Sequence, residues 1–163
     1  MAATPTRAGS ATPLIVIAVA CLAAVGAALA SQHLFDMQPC PWCVLQRLIF
    51  VVIAVVCLAG AALPLAAARA GAAVLALLLA LAGIAAALWQ HFKAAASASC
   101  NLTLAEKILS SLQLDSALPD VFAPRASCAD AAVNLLGVPY DFWSLALFVL
   151  CAIGAVRVLR ARR

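Results

Sequence analysis

Apolar residues run through this chain in four long stretches, and the polar residues collect between them. Leu14 to Ala30 is bounded by Pro13 and by Ser31-Gln32-His33, and Leu48 to Ala68 lies between Arg47 and Arg69. Ala70 to Gln90 lies between Arg69 and His91, and Phe142 to Val156 between Asp141 and Arg157. A membrane-spanning helix needs about 20 apolar residues at ~1.5 Å rise each. The second and third stretches meet this length. The first is slightly short, and His33-Leu34-Phe35 can extend it. The fourth is long enough once Arg157 snorkels and Val158 and Leu159 join the span. The predicted spans are 14–32, 46–65, 70–90 and 142–159, with loops 33–45 and 91–141 emerging on one side. The expected fold is all-α, an integral membrane four-helix bundle forming a single membrane domain over residues 1–163.

Composition sharpens this picture. The 163 residues are 67% hydrophobic and 10% charged, with mean hydropathy +1.14. A soluble domain is nearer half apolar and a quarter charged, so lipid is the expected surrounding medium. The net charge of +4 is not gathered on a soluble face, which argues against nucleic acid as a partner. Its distribution sets orientation instead. Arg7, Arg69, Arg157, Arg160, Arg162 and Arg163 fall on one side of the spans. Asp36, Glu106, Asp115, Asp120, Asp130 and Asp141 fall on the other. The positive-inside rule then places both termini in the cytoplasm and the two long loops outside. Trp42, Trp89, Tyr140 and Trp143 fall at the outer interface, where aromatic belts form. Ala28-Leu29-Ala30 resembles a signal-peptidase site, but the apolar run before it is long for a signal peptide, so the first span is read as retained.

No internal repeat breaks the chain, and small-residue clusters such as Gly71-Ala72-Ala73 and Gly83 read as close helix packing. Loop 91–141 has structure of its own. Thr103-Leu104-Ala105-Glu106 fits a capping box, and Ala105, Ile108, Leu109 and Leu112 share one helical face. A short amphipathic helix is expected there, lying on the outer membrane surface or packed on the bundle ends.

Seven cysteines divide by location. Cys21, Cys57 and Cys151 lie inside apolar runs, where a thiol acts as a small hydrophobe. Cys40, Cys43, Cys100 and Cys128 lie in the outer loops, where an oxidising compartment favours disulfides. Four cysteines allow three pairings. A Cys40–Cys43 bridge constrains little chain entropy, so redox exchange explains it better than stabilisation. For Cys100 and Cys128 a structural bridge and an exchanging one both remain open. Zinc is disfavoured, because a closed structural site usually needs a second paired cluster or added histidines, so no metal is expected.

The stretch Gln38-Pro39-Cys40-Pro41-Trp42-Cys43-Val44-Leu45-Gln46-Arg47 concentrates the chemistry. Pro41 suits the first turn of a helix, so the second helix should begin near Cys40–Cys43 and its positive end would stabilise thiolates there. Arg47 lies four residues after Cys43, on the same helix face. It would favour a Cys43 thiolate and polarise the carbonyl of a lipid-soluble electron acceptor. Snorkelling to headgroups is the plainer explanation of the same arginine. His91, at the outer end of the third span, could give a proton or hydrogen bond to such an acceptor if the helices are neighbours.

These residues resemble the disulfide bond formation protein B (DsbB) family, the quinone-dependent disulfide generators of the bacterial inner membrane. Four spans, two outer loops, Cys40-Pro41-Trp42-Cys43 leading into Gln46-Arg47, and a second cysteine pair carry the resemblance. Gln32-His33 and Trp89-Gln90-His91 add to it. The resemblance implies a bundle that binds ubiquinone or menaquinone from the membrane quinone pool. It implies a periplasmic thioredoxin-fold thiol oxidase, DsbA-like, as partner. It further implies that the partner attacks Cys100 of a Cys100–Cys128 bridge, that Cys128 attacks Cys40, and that Cys43 passes electrons to quinone held by Arg47 and His91. Gln46 occupies a position where some members carry an acid. Two other classes share some of these parts. A vitamin K epoxide reductase-like enzyme usually carries its dithiol late in the chain, whereas here it comes early. A non-catalytic four-helix membrane protein would use the bridges for stability alone.

Overall fold

A computed structural model describes residues 11–94, 104–131 and 133–161. Arg7, Cys100, Thr103, Arg162 and Arg163 lie outside the described residues. Four helices are long and apolar enough to cross a membrane. They are α1 (Thr12–Leu34), α2 (Pro41–Ala62), α3 (Ala66–Trp89), which continues as a π-helical turn over Gln90–Ala94, and α7 (Tyr140–Arg160). Three short helices, α4 (Leu104–Ser111), α5 (Leu114–Ala117) and α6 (Pro119–Phe122), and one antiparallel hairpin, β1 (Asn134–Leu135) with β2 (Val138–Pro139), fill the segment before α7. The expected all-α four-helix bundle is therefore the fold, and the chain is built as a multi-pass membrane protein.

Each long helix starts before its predicted span, and α2 ends at Ala62, before 65. α2 starts at Pro41, as a proline suited to the first turn predicts, ahead of the apolar span counted from 46. Proline at this first position leaves no orphan N–H, and Cys40 Sγ accepts the backbone N–H of Cys43 at 3.3 Å, the part a serine or aspartate usually plays. α1 stops where Asp36 turns left-handed (φ 53°) and Met37 N–H returns to Ser31 O. Pro64 holds Leu63 in an extended conformation and ends α2.

α1 packs on α2, α2 on α3, α3 on α7 and α7 back on α1. Arg69, Arg157 and Arg160 therefore share one end of the bundle, and the cysteine-bearing loops and the acids share the other. The shared core contains Leu14, Ile17, Phe50, Ile53 and Phe148, with Cys21, Cys57 and Cys151 buried among them. Cys21 Sγ and Cys151 Sγ lie 3.6 Å apart across α1 and α7, which fits their expected use as small core side chains. Phe50 and Phe148 stack nearly parallel with ring centroids 4.0 Å apart. Outward residues such as Val16, Val55, Leu78 and Leu150 are exposed, as lipid-facing positions should be.

α4 lies where the amphipathic helix was expected. Its Ala105 and Leu109 are buried, and Leu109 joins Val44 of α2 and Phe122 of α6 in a small cluster. Leu112 points away and is exposed, so the packed face is narrower than the sequence pattern. The hairpin was not anticipated. Its turn places Leu136 and Gly137 at φ 55° and 81°, as a two-residue hairpin requires.

Close helix approach depends on particular glycines. A Cβ on Gly83 would lie 2.4 Å from Phe148 Cε1, whereas one on Gly26 meets nothing within 4 Å. Gly83→Ala is expected to destabilise the bundle by about 1–3 kcal/mol through overpacking, with Gly26→Ala near neutral. Denaturant midpoints in detergent would check the difference.

Candidate redox site at the loop end of the bundle

Local structure brings the loop cysteines together. Arg125 and Ala126 donate their backbone N–H groups to Pro39 O at 2.9 and 3.3 Å. This clamps the segment after α6 onto the residue before Cys40. Cys128 then reaches Cys40, and the two share a buried cluster with Trp42, Leu45 and Ala105. Cys40 Sγ lies 2.8 Å from Cys43 Sγ. Cys40, Cys43 and Cys128 are free thiols, with Cys40 fully buried between the other two.

The electrostatics differ along this row. Hydrogen bonding to Cys128, then to Cys43, together with burial, holds the Cys40 thiol well above its ordinary value. The Cys128 thiol is pushed down, chiefly because Cys40 donates to its sulfur and secondarily because the Trp42 N–H does, against the opposing effects of burial and Glu106. Both shifts favour negative charge on Cys128 over Cys40.

Cys43 faces a cavity of about 720 Å³ between α1, α2 and α7. Its wall includes Arg47, Gln46, Phe50, Gln90, Tyr140 and Leu147. Arg47 is 5% exposed, so it does not reach out toward headgroups as snorkelling would require. Its guanidinium donates through Nη1 to Gln32 Oε1 at 3.1 Å and to Val121 O. Gln32 is itself fixed by its amide donating to Asp120 O at 3.2 Å. Arg47 Nε is buried with no partner among the described residues. A buried donor without an acceptor is costly, and here it belongs to a residue of the cavity wall.

His91 sits in the π-helical turn, with Nδ1 2.8 Å from Asp141 Oδ2 and its ring edge-on to Phe142. Asp141 lines the cavity and His91 does not, so the structure places His91 behind the wall rather than on it. Cys100 lies outside the described residues. Three residues that bear on the site were not singled out for it. Gln32 orients Arg47. Gln90 donates to Cys43 Sγ at 3.2 Å. Ser144 donates to Gln46 Oε1. The available signal was the rarity of amides within spans. Gln32, Gln46 and Gln90 all lie at the same ends of otherwise apolar helices.

A family model described as "Disulfide bond formation protein DsbB" matches residues 10–158. The chain is 35% identical over 141 residues to "Disulfide bond formation protein B" of Herminiimonas arsenicoxydans, covering 86% of this chain and 89% of that one. It is 37% identical over 148 residues to the protein of the same description in Aromatoleum aromaticum, covering 88% of each.

In the reduced protein, Cys128 should alkylate with iodoacetamide faster than Cys40 at pH 7. Cys40→Ala removes the donor to Cys128, so the pH at which Cys128 reacts half-maximally should rise. Peptide mass mapping across pH 6–9 checks both outcomes.

Proposed function

The chain belongs to the DsbB family of disulfide bond formation proteins, a disulfide oxidoreductase family, and on that basis we propose that it makes disulfides de novo at the expense of membrane quinone. The observation that carries this is the row of three sulfurs, Cys128, Cys40 and Cys43, ending at a cavity with a buried arginine. The membrane is the bacterial inner membrane, with the arginine-rich end cytoplasmic and the cysteine-bearing loops periplasmic, following the positive-inside rule.

The chemistry follows the row. By family resemblance, the thiolate of a reduced thioredoxin-fold, DsbA-like partner attacks Cys100 of a Cys100–Cys128 bridge, forming a partner–Cys100 disulfide; the partner's second thiol later displaces Cys100, which returns to Cys128 and frees Cys40. Cys128 is released as a thiolate and attacks Cys40 of a Cys40–Cys43 disulfide. The Cys128–Cys40 bond forms, the Cys40–Cys43 bond breaks, and Cys43 leaves as a thiolate carrying the electron pair. The depressed Cys128 thiol suits the attacking sulfur, and the contact with Cys40 makes the exchange local.

The cavity residues fit a quinone. A volume of about 720 Å³ falls within the usual range for small-molecule sites. Phe50 and Leu147 give apolar walls, Cys43 a sulfur, and Arg47 Nε an unmatched donor suited to a carbonyl oxygen. When bound, ubiquinone or menaquinone supplies the oxidising power by taking up two electrons and two protons. Arg47 balances negative charge at that wall, and Gln32 and Val121 O hold its guanidinium in place. His91 contributes from behind, through Asp141, by fixing the α3–α7 junction.

Cys43→Ser should abolish quinone-dependent oxidation of a dithiol partner while helix content and thermal stability stay near those of the parent. Arg47→Ala should raise KM for quinone by on the order of tenfold or more, the effect of losing one hydrogen bond from a charged donor. Quinone absorbance followed during partner oxidation measures both. Full turnover by Cys43→Ser would refute the proposal.

A further inference from the structure

Cys43 has a second neighbour whose placement is as specific as that of Cys40. Gln90 opens the π-helical turn that ends α3, and its side chain is buried at 6% exposure. Its Nε2 lies 3.2 Å from Cys43 Sγ. Its Oε1 accepts from Gln46 Nε2 at 2.6 Å. The Oε1 of Gln46 accepts in turn from the Ser144 hydroxyl. The chain Ser144, Gln46, Gln90, Cys43 therefore links α7, α2 and α3 and ends on the sulfur next to the cavity.

Direction follows from the donor at each link, with the Ser144 hydroxyl also facing Asp141 O at 2.9 Å. Each amide has its oxygen occupied by the donor before it, which leaves the N–H₂ group for the next acceptor. The last acceptor is Cys43 Sγ. A thiolate can accept hydrogen bonds and cannot donate them, so the N–H side of Gln90 is the one that satisfies it. Hydrogen bonds to charged partners are roughly twice as strong as neutral ones. The contact must therefore strengthen as Cys43 acquires charge, which happens when Cys40–Cys43 opens.

We propose that Gln90 is a catalytic residue of this chain, donating from its side-chain amide to Cys43 Sγ as that sulfur departs, and that Gln46 and Ser144 are positioning residues that keep the amide N–H toward it. The proposal rests on the electron route given above. In the exchange, the Cys128 thiolate attacks Cys40, the Cys128–Cys40 bond replaces Cys40–Cys43, and the electron pair of the broken bond goes to Cys43. Gln90 stabilises that product and transfers no proton. A glutamate at 90 or 46 would place an acceptor or a negative charge where this chain needs a donor.

The test uses full-length protein in detergent with Cys100→Ser and Cys128→Ser, which leaves Cys40 and Cys43 as the loop pair. The protein is equilibrated with reduced and oxidised glutathione, acid-quenched and labelled with maleimide. Peptide mass mapping then gives the Cys40–Cys43 disulfide fraction. Gln90→Met, similar in size but without a donor, should move the equilibrium toward the disulfide by about tenfold, the size expected for one hydrogen bond to a charged group. Ser144→Ala should move it the same way by about threefold, a fraction of that effect. A Gln90→Met protein that folds but lies within twofold of its parent, or shifts toward the dithiol, overturns the proposal. Should Gln90→Met fail to fold, Ser144→Ala decides: a shift toward the disulfide supports the role, and its absence refutes it. The measurement involves neither quinone nor partner protein, so its failure is distinct from a failure of the electron route.

Discussion

The site depends on Cys40 closing the first turn of α2. Its sulfur accepts the Cys43 N–H and so sets where the helix begins. The same sulfur touches Cys43 and is hydrogen-bonded to Cys128. One atom thus serves as helix cap, as half of a dithiol and as the meeting point with the second loop. Pro41 makes this possible, because it fixes the helical dihedral and removes the N–H that would otherwise compete at the first position. Pro39 O completes the arrangement by receiving two backbone donors from the segment that carries Cys128.

A second constraint is the burial of polar groups in an otherwise apolar bundle. Gln32, Gln46, Arg47 and Gln90 are all nearly inaccessible. Burying such groups is unfavourable unless each finds partners, and nearly all do. Gln32 ties Arg47 to the segment around Asp120 and Val121. Gln46 ties Ser144 to Gln90. Two polar strings result, one ending on the arginine and one on Cys43, and both border the same cavity. Below them the core is filled by Phe50, Phe148 and small residues, with Gly83 giving the Phe148 ring its space. That packing keeps the strings in register at the bundle end.

Much of this was legible in the sequence. Four apolar stretches gave the four spans because hydropathy over ~20 residues is a strong signal. Cys40, Cys43 and Arg47 were legible because dithiol spacing and helical phase both act locally. The start of α2 near Cys40–Cys43 was legible from Pro41, although the apolar span itself was counted only from 46. Cys128 against Cys40 depends on two backbone hydrogen bonds to Pro39 that no side-chain pattern announces. Gln90 was visible as a polar residue at a span's end, but its partners are 44 and 47 residues away. For His91, reach to an acceptor is expected only if the helices are neighbours. Its position depends on the π-helical turn and on Asp141, neither of which periodicity reveals. The hairpin at Leu136–Gly137 lacked the usual Asn-Gly turn signal.

The proposed electron route requires Cys128 to exchange with Cys40 directly. The most direct measurement is to take the full-length Cys43→Ser, Cys100→Ser protein, which leaves Cys40 and Cys128 as the loop thiols, and expose it to oxidised glutathione. Non-reducing peptide mapping then reports which sulfurs have joined. A Cys40–Cys128 disulfide as the dominant product is the predicted result. Recovery of Cys40 and Cys128 as separate glutathione adducts or free thiols, with the bundle still folded, would contradict it.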